Sequence, residues 1–275
     1  MIDISKIDYS VLDRPEILMF LFHPRPEPRM PGYTSIQPDA VFTHERDLLI
    51  PVEKDVAIGA RFHMAEKSGC NILFFHGNGE IVADYDDLGE MYTHIGINFL
   101  AADYRGYGRS TGKPSVTGMM RDCHIIFEFV QNWLKKHNFP GPLILMGRSL
   151  GSASALELAA HYKNQIDGLI IESGFAYAGP LLRLLGIDPQ KIGFSEETGF
   201  HNIDKIAGFD KPVLIIHAEF DHIIPFSGGQ NLYDACPAKE KTLLKIPGAN
   251  HNDIFMRGMT AYMAAVAKLA DRIKV

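Results

Sequence analysis

The stretch PLILMGRSLGSASALELAA, from Pro142 to Ala160, decides the fold of this chain. It begins with a short apolar run, Leu143 to Met146, of the length that favours a buried strand. Small and apolar residues then recur at helical spacing from Ala153 onward. The tight sequence GRSLG (147–151) lies between these two parts. The stretch therefore predicts a strand, a sharp turn and a helix in direct succession.

The turn has the pattern G-x-S-x-G, which places a serine where a strand passes into a helix. A serine hydroxyl is a weak nucleophile and has to project toward a base that activates it. Gly147 and Gly151 have no side chains, so the strand and the helix can close around Ser149. The amide of Leu150 then lies at a helix N-terminus, where it can stabilise an oxyanion. Ser149 is therefore the candidate nucleophile.

Apolar runs alternate with amphipathic stretches along most of the chain. The runs at 71–75, 97–102, 143–146, 169–171, 213–216 and 242–246 predict strands, and the stretches at 81–95, 116–137 and 255–273 predict helices. Shorter candidate strands precede them at 41–44, 48–52 and 56–62. Such alternation is typical of an α/β fold with a mostly parallel sheet and helices on both faces. The three short strands predict an antiparallel edge.

We expect residues 1–275 to form a single domain. Two stretches of this domain depart from the alternation of strands and helices. Residues 1–37 are a predicted N-terminal arm, in which three prolines between Phe22 and Arg29 exclude a regular helix. The apolar run 17–22 is too short to cross a bilayer, so we expect it to pack on the domain, with contact to a membrane surface as the alternative. Residues 173–207 predict a small helical cap over the site.

Polar residues that could serve Ser149 follow two later strands. Function in a parallel α/β sheet belongs at the carboxyl ends of the strands. Asp221 follows the strand at 213–216, and His251 follows the last strand, so the chain order is serine, acid, histidine. A serine nucleophile needs a base and an acid that orients that base. Asp221 is the first candidate for that acid and Glu172, which ends a strand, is its rival.

These blocks together resemble the α/β-hydrolase superfamily, and most closely its serine-aminopeptidase-like and carboxylesterase- or thioesterase-like branch. The matching blocks are HGNGE (76–80), DYRGYGRSTG (103–112), GRSLG (147–151), KPVLIIHAEFDHIIP (211–225) and PGANHND (247–253). The resemblance extends from about residue 40 to residue 275 and implies the α/β-hydrolase fold, with a mostly parallel sheet of the eight-stranded type.

The resemblance also assigns roles to residues of this chain. It implies that Ser149 is the nucleophile, His251 the base and Asp221 the orienting acid. It further implies that the backbone amides of Asn78 and Leu150 form the oxyanion hole. Two positions depart from the family pattern: Gly79-Glu80 stands where a small residue and glycine are common, and Ala218 stands where glycine is usual. Neither departure removes a catalytic group.

The first functional hypothesis is a serine hydrolase that cleaves a carboxylic ester or thioester through an acyl-enzyme. A peptidase or amidase with the same triad is one alternative, and a catalytically silent domain that binds a small ligand is another. The fold alone does not distinguish among these three functions. We expect the substrate to be a small acyl ester or thioester. The apolar cap predicts a wall of the substrate pocket, with Leu182 and Leu185 as its candidate contact residues.

Composition excludes several other classes. The 275 residues have a formal net charge of −6 and dispersed basic residues, which argues against nucleic acid as a partner. Three cysteines without a C-x-x-C pair predict reduced thiols rather than disulfides, and hence a cytoplasmic location. No H-E-x-x-H pattern is present, so we expect neither a metal nor another cofactor. We find no secretory signal and no stretch that predicts integral membrane association.

Overall fold

The computed structural model describes residues 3–28, 42–44, 46–184 and 186–274. Within these ranges the strands are β1 (Phe42–His44), β2 (Asp47–Glu53), β3 (Val56–His63), β4 (Asn71–Phe75), β5 (Asn98–Ala102), β6 (Leu143–Arg148), β7 (Gly168–Glu172), β8 (Val213–Ala218) and β9 (Lys241–Ile246). The helices are α1 (Pro15–Leu21), α2 (Asp86–His94), α3 (Val116–Lys136), α4 (Gly151–His161), α5 (Ala178–Leu184), α6 (Asn202–Ala207), α7 (Phe226–Ala235) and α8 (Ile254–Ile273). Short 3₁₀ turns lie at Ile4–Lys6, Tyr9–Leu12, Val82–Tyr85, Lys163–Gln165 and Glu196–Thr198.

The strands form one twisted sheet in the order β1-β2-β3-β5-β4-β6-β7-β8-β9. Strands β1, β2 and β3 pair antiparallel, β3 pairs antiparallel with β5, and all pairs from β5 to β9 are parallel. The expected mostly parallel sheet and its antiparallel edge are therefore confirmed. Strands β2 to β9 are the eight of the expected type, and the three-residue β1 adds a ninth in the described part of the chain.

Helices cover both faces of the sheet because the central strands are apolar on both sides. Every residue of β4, β5, β6 and β7 is buried. One apolar core includes residues of α1, α3, α4 and α7, and the other includes residues of α2 and α8. Helix α3 begins where the Ser115 hydroxyl accepts a hydrogen bond from the Gly118 amide at 3.0 Å, which satisfies a free N–H of its first turn. Because strands β4 to β9 run parallel to one another, their carboxyl ends lie at one edge of the sheet.

The N-terminal segment packs on the domain instead of extending away from it. Ile17 and Leu21 of α1 are buried in the first core, whereas Met19 is 63% exposed. The amide of Glu27 donates to the carbonyl of Gly108 at 3.1 Å. The rest of the predicted arm, residues 29–37, lies outside the described residues. The predicted cap contains α5, the turn at 196–198 and α6.

The three cysteine side chains, at positions 70, 123 and 236, are buried free thiols. Burial raises the pKa of the Cys123 thiol well above its usual value. A neutral, inaccessible thiol is a packing group rather than a nucleophile. In the ranges that the structure describes, no helix combines the length with the hydropathy that a bilayer-spanning segment requires.

Candidate active site

Ser149 lies on a strained turn between β6 and α4. Its φ is +50°, a left-handed conformation that costs a non-glycine residue energy and that marks functional turns. A Cβ at Gly147 would lie 2.3 Å from the carbonyl oxygen of Gly151, and one at Gly151 would lie 2.1 Å from that of Phe75. Neither glycine can therefore be replaced without movement of the backbone. The Ser149 amide donates to the carbonyl of Glu172 at 2.9 Å, which ties the turn to the end of β7.

Asp221 and His251 meet at the same edge of the sheet, beyond β8 and β9. The Oδ2 atom of Asp221 lies 2.7 Å from Nδ1 of His251, and both side chains are almost fully buried. The other carboxylate oxygen, Oδ1, accepts hydrogen bonds from the amides of Ile223 and Ile224 at 3.0 and 2.8 Å. Burial alone would raise the pKa of Asp221, but the His251 hydrogen bond and charge outweigh it and lower this pKa. Asp221 is thus an ionised acceptor that orients His251.

The hydrogen bond to Asp221 determines which imidazole nitrogen can act as a base. A carboxylate accepts only, so Nδ1 of His251 is the donor and Nε2 is left with the free lone pair. Ser149 is 8% exposed at the neighbouring strand end. Among the described residues no hydrogen bond yet joins Ser149 Oγ to His251 Nε2. Catalytic hydrogen bonds are often long before substrate binds, so this geometry is compatible with general-base chemistry.

The predicted oxyanion loop lies against the turn that holds Ser149. Gly79 has a φ of +78°, which a glycine adopts without strain. The close approach of Gly151 to the carbonyls of Phe75 and His76 brings the start of α4 next to this loop. In the described structure the amides of Asn78 and Leu150 donate to no other group. Two free amides beside a strained serine are the arrangement that an oxyanion hole requires.

The N-terminal segment holds the oxyanion loop from outside, which the sequence did not indicate. The Oδ1 atom of Asn78 accepts from the His23 amide and from the Tyr107 hydroxyl, both at 2.7 Å. The Arg25 Nε donates to the carbonyl of Gly79 at 2.7 Å, and the same guanidinium pairs with Asp84. The arm is therefore part of the support of the loop rather than a separate extension.

Arg148 forms a buried network that sequence reasoning also missed. We call the Arg148 network the set made by Arg148, Glu80, Glu172 and the main-chain carbonyl of His251. The guanidinium donates to Glu80 Oε1 at 2.9 Å, to Glu172 Oε1 at 2.6 Å and to the His251 carbonyl at 2.9 Å. Burial would lower the pKa of Arg148, but the charges of Glu172 and Glu80 raise it well above its usual value. Arg148 lies inside the G-x-S-x-G pattern, but the local sequence does not indicate which distant carboxylates it pairs with.

Glu172, the rival acid, forms its hydrogen bonds elsewhere than the His251 ring, and two neighbouring histidines, His76 and His217, have partners of their own. Glu172 is fully buried, and its second oxygen accepts from the Tyr262 hydroxyl at 2.8 Å. His76 is fully buried between the Gly77 carbonyl at 2.8 Å and Asp103 Oδ1 at 3.1 Å, as expected of a structural histidine. His217 Nε2 lies 2.8 Å from the Ile224 carbonyl, and burial lowers its pKa. Asp221 is the carboxylate that the described structure places on the imidazole.

A small apolar cavity separates the cap from the loop that contains Asp221. Its volume is about 70 Å³, and it is lined by Phe175, Ala176, Tyr177, Pro180, Leu181, Ile223, Ile224, Pro225, Ser227, Gly228 and Asn231. Leu182 is 1% exposed, belongs to the first core and is not among the lining residues. Leu185 lies outside the described residues. Contact of Leu182 or Leu185 with a substrate therefore stays a prediction.

One group of described residues has spacing that could hold a metal ion. His124, Glu157 and His161 offer ligand atoms within 4.8 Å of one another on α3 and α4. The carboxylate of Glu157 already pairs with the buried Lys205 ammonium at 2.7 Å and accepts from the Tyr9 hydroxyl at 2.6 Å. A buried carboxylate with a cationic partner this close is compensated. We interpret the group as an ion-pair and hydrogen-bond cluster.

Comparison with known proteins identifies relatives at the level of sequence. Residues 67–188 match the family model described as serine aminopeptidase, S33. The chain is 33% identical over 207 residues to α/β hydrolase domain-containing protein 17C of Xenopus tropicalis, covering 74% of this chain and 63% of that protein. It is 31% identical over 216 residues to α/β hydrolase domain-containing protein aho-3 of Caenorhabditis elegans, covering 73% and 57%. The chain thus spans about three fifths of the length of these curated relatives.

Solved structures agree with the fold. A soluble variant of monoglyceride lipase from Saccharomyces cerevisiae, in complex with a substrate analogue, superposes with a TM-score of 0.65 at 22% identity. The superposition covers 86% of this chain and 98% of that chain. At this identity the likeness supports the arrangement of sheet and helices, and says nothing of substrate.

Proposed function

The chain belongs to the α/β-hydrolase superfamily, and from that premise we propose that it is a serine hydrolase of carboxylic esters or thioesters. The observation that supports this best is the 2.7 Å hydrogen bond between Asp221 and His251, placed at the strand edge that holds the strained Ser149. The same strand edge thus holds a serine on a strained turn, a histidine and a carboxylate that orients its ring, which favours an active triad over the catalytically silent ligand-binding domain.

The proposed reaction proceeds through an acyl-enzyme. Ser149 Oγ attacks the acyl carbonyl carbon while its proton passes to Nε2 of His251. The carbonyl oxygen becomes an oxyanion that accepts hydrogen bonds from the amides of Asn78 and Leu150. The bond to the leaving group then breaks, and the leaving alcohol or thiol takes the proton from His251. Water, deprotonated by His251, attacks the acyl-enzyme, and His251 returns that proton to Ser149 Oγ as the acid is released.

The second candidate function is cleavage of a peptide or amide by the same residues. It is favoured by one finding, the family model over residues 67–188 that is described as a serine aminopeptidase. An ester or thioester is the first choice because the cavity beside the Asp221 loop is lined mainly by apolar side chains. An acyl chain gains free energy from such a surface, whereas the charged amino terminus of a peptide loses hydration there.

A substrate panel distinguishes these candidates. We expect the purified protein to hydrolyse aryl esters and acyl thioesters with a higher kcat/KM than aminoacyl arylamides of matched size. The comparison measures transition-state stabilisation for each leaving group directly. Preference for the aminoacyl arylamides would replace the ester or thioester assignment with the aminopeptidase one.

We also infer that the cap forms one wall of the acyl pocket. Phe175 and Ala176 lead from the end of β7 into the cap, and Ile224 follows the Asp221 turn, so the cavity lies beside the proposed catalytic edge. Leu181 lines this cavity and is half-buried. Leu184, on the same helix α5, is 52% exposed and is not among the lining residues.

Leu181→Ala is expected to reduce the preference for longer acyl chains. Each CH₂ that a ligand buries against such a wall gains about 0.8 kcal/mol, so the octanoyl-to-butyryl ratio of kcat/KM should fall by about fourfold or more. Leu184→Ala makes the same truncation on the exposed side of α5 and should leave the ratio unchanged. The measurement is kcat/KM for acetyl, butyryl and octanoyl aryl esters. Identical profiles for the wild type and Leu181→Ala would exclude the cap as the acyl wall.

A further inference from the structure

We propose that Arg148 is a positioning residue that holds the oxyanion loop and the base His251 in register with the nucleophile. The inference rests on the proposed function. Arg148 directly precedes Ser149 at the end of β6, and its side chain is 6% exposed. Its three hydrogen bonds reach the segment after β4, the last residue of β7 and the segment after β9.

The contact with His251 acts on the backbone of the base. The guanidinium donates to the main-chain carbonyl of His251 at 2.9 Å, while Asp221 holds the imidazole through Nδ1 at 2.7 Å. Asp221 therefore orients the ring, and Arg148 anchors the segment from which the ring projects. Together these two contacts fix the direction in which Nε2 of His251 points.

The contact with Glu80 acts on the oxyanion loop. The Oε2 atom of Glu80 accepts from the Gly77 amide at 2.6 Å and from the Tyr85 hydroxyl, and its Oε1 accepts from Arg148 at 2.9 Å. Glu80 thus closes the four-residue turn that contains Asn78. Because Arg148 holds Glu80, the proposed oxyanion amide is linked to the residue next to the nucleophile by two hydrogen bonds in series.

The planar geometry of the guanidinium makes this arrangement specific for arginine. One buried guanidinium lies between the carboxylates of Glu80 and Glu172, and it uses separate nitrogen atoms for each acceptor. The planar fork of arginine can serve three acceptors in fixed directions, whereas a lysine ammonium is a point charge on a flexible stem. Removal of Arg148 would leave the buried carboxylate of Glu172 and the part-buried carboxylate of Glu80 without their common partner, so the three segments would separate or hydrate.

The expected consequence of losing Arg148 is a loss in kcat. A misplacement of about 1 Å in a catalytic group can lower the rate by about a hundredfold. Arg148→Met should therefore reduce kcat by about a hundredfold or more and change KM by about threefold at most, because the acyl pocket is not touched. Arg148→Lys keeps the charge but not the fork, and we expect a loss of about tenfold.

Arg105 offers a matched control elsewhere in the molecule. It is also a mostly buried arginine that bridges two carboxylates, Asp122 at 2.6 Å and Glu53 at 2.8 Å, and it contacts none of the proposed catalytic segments. Arg105→Met should lower the melting temperature as Arg148→Met does, while kcat stays within about threefold of the wild type.

The experiment compares the wild type, Arg148→Met, Arg148→Lys and Arg105→Met. For each protein it measures kcat and KM on one aryl ester, the rate of labelling by a fluorophosphonate, and the melting temperature. A folded Arg148→Met protein with a kcat within about threefold of the wild type, or with a loss no greater than that of Arg105→Met, would overturn the inference. If Arg148→Met does not fold, wild-type activity in Arg148→Lys overturns it instead. A wild type that neither turns over nor labels would refute the proposed function, and the inference with it.

Discussion

Ser149→Ala is expected to abolish ester turnover while the protein stays folded. The variant removes the oxygen that forms the covalent bond, so the predicted loss in kcat is about a thousandfold or more. The strained φ of +50° is adopted by the backbone of residue 149, and alanine does not relieve it. The melting temperature should therefore change little, and the rate difference reports on chemistry alone.

A serine on the helix that follows the turn provides the control for this variant. Ser154 is fully buried in α4, and its hydroxyl has no hydrogen-bond partner among the described residues. Ser154→Ala makes the same change of atoms without contact to the proposed site, and its turnover should match the wild type. Substantial turnover by folded Ser149→Ala, at a rate close to that of Ser154→Ala, would be incompatible with a serine nucleophile.

Asp221→Asn is expected to cost far more activity than Glu172→Gln. The carboxylate of Asp221 accepts the Nδ1 proton of His251, which selects the imidazole tautomer and stabilises the imidazolium. An amide can donate to Nδ1 instead and stabilise the wrong tautomer. In serine proteases the corresponding change lowers kcat by up to about ten-thousandfold.

Glu172→Gln serves as the comparison because Glu172 was the rival acid. Its carboxylate contacts Arg148 and Tyr262 rather than the His251 ring, and glutamine keeps one acceptor oxygen for Arg148 while its NH₂ group can donate to the Tyr262 hydroxyl. We expect a smaller loss in kcat for Glu172→Gln than for Asp221→Asn, because the substitution at 172 weakens only the Arg148 network. Measured kcat values in the opposite order would assign the orienting acid to Glu172.

The sheet and the turn at Ser149 could be predicted from sequence because their determinants are local. Apolar runs of strand length are interrupted by turn residues, and the G-x-S-x-G pattern contains the glycines that a close strand-to-helix turn needs. Asp221 and His251 could be placed because each follows its own strand, and parallel strands end at a common edge. Their 2.7 Å contact follows from that topology.

The supports of the site could not be predicted, because they depend on contacts between segments that are distant in sequence. His23 and Arg25 hold the oxyanion loop from more than 50 positions away. Arg148 reaches a carbonyl that is 103 positions away. The cap gives a second example of what could not be predicted. Composition could not distinguish Leu181, which lines the cavity, from Leu182, which is buried in the core.

The most direct test of the proposed function is covalent labelling of the protein with a fluorophosphonate, followed by mass spectrometry of its peptides. Only a serine activated by a base and an oxyanion hole reacts rapidly with such a probe. We predict one adduct on the peptide that contains Ser149, formed in the wild type and in Ser154→Ala and absent from Ser149→Ala. An unlabelled wild type, or an adduct that persists in Ser149→Ala, would contradict the assignment of Ser149 as the nucleophile.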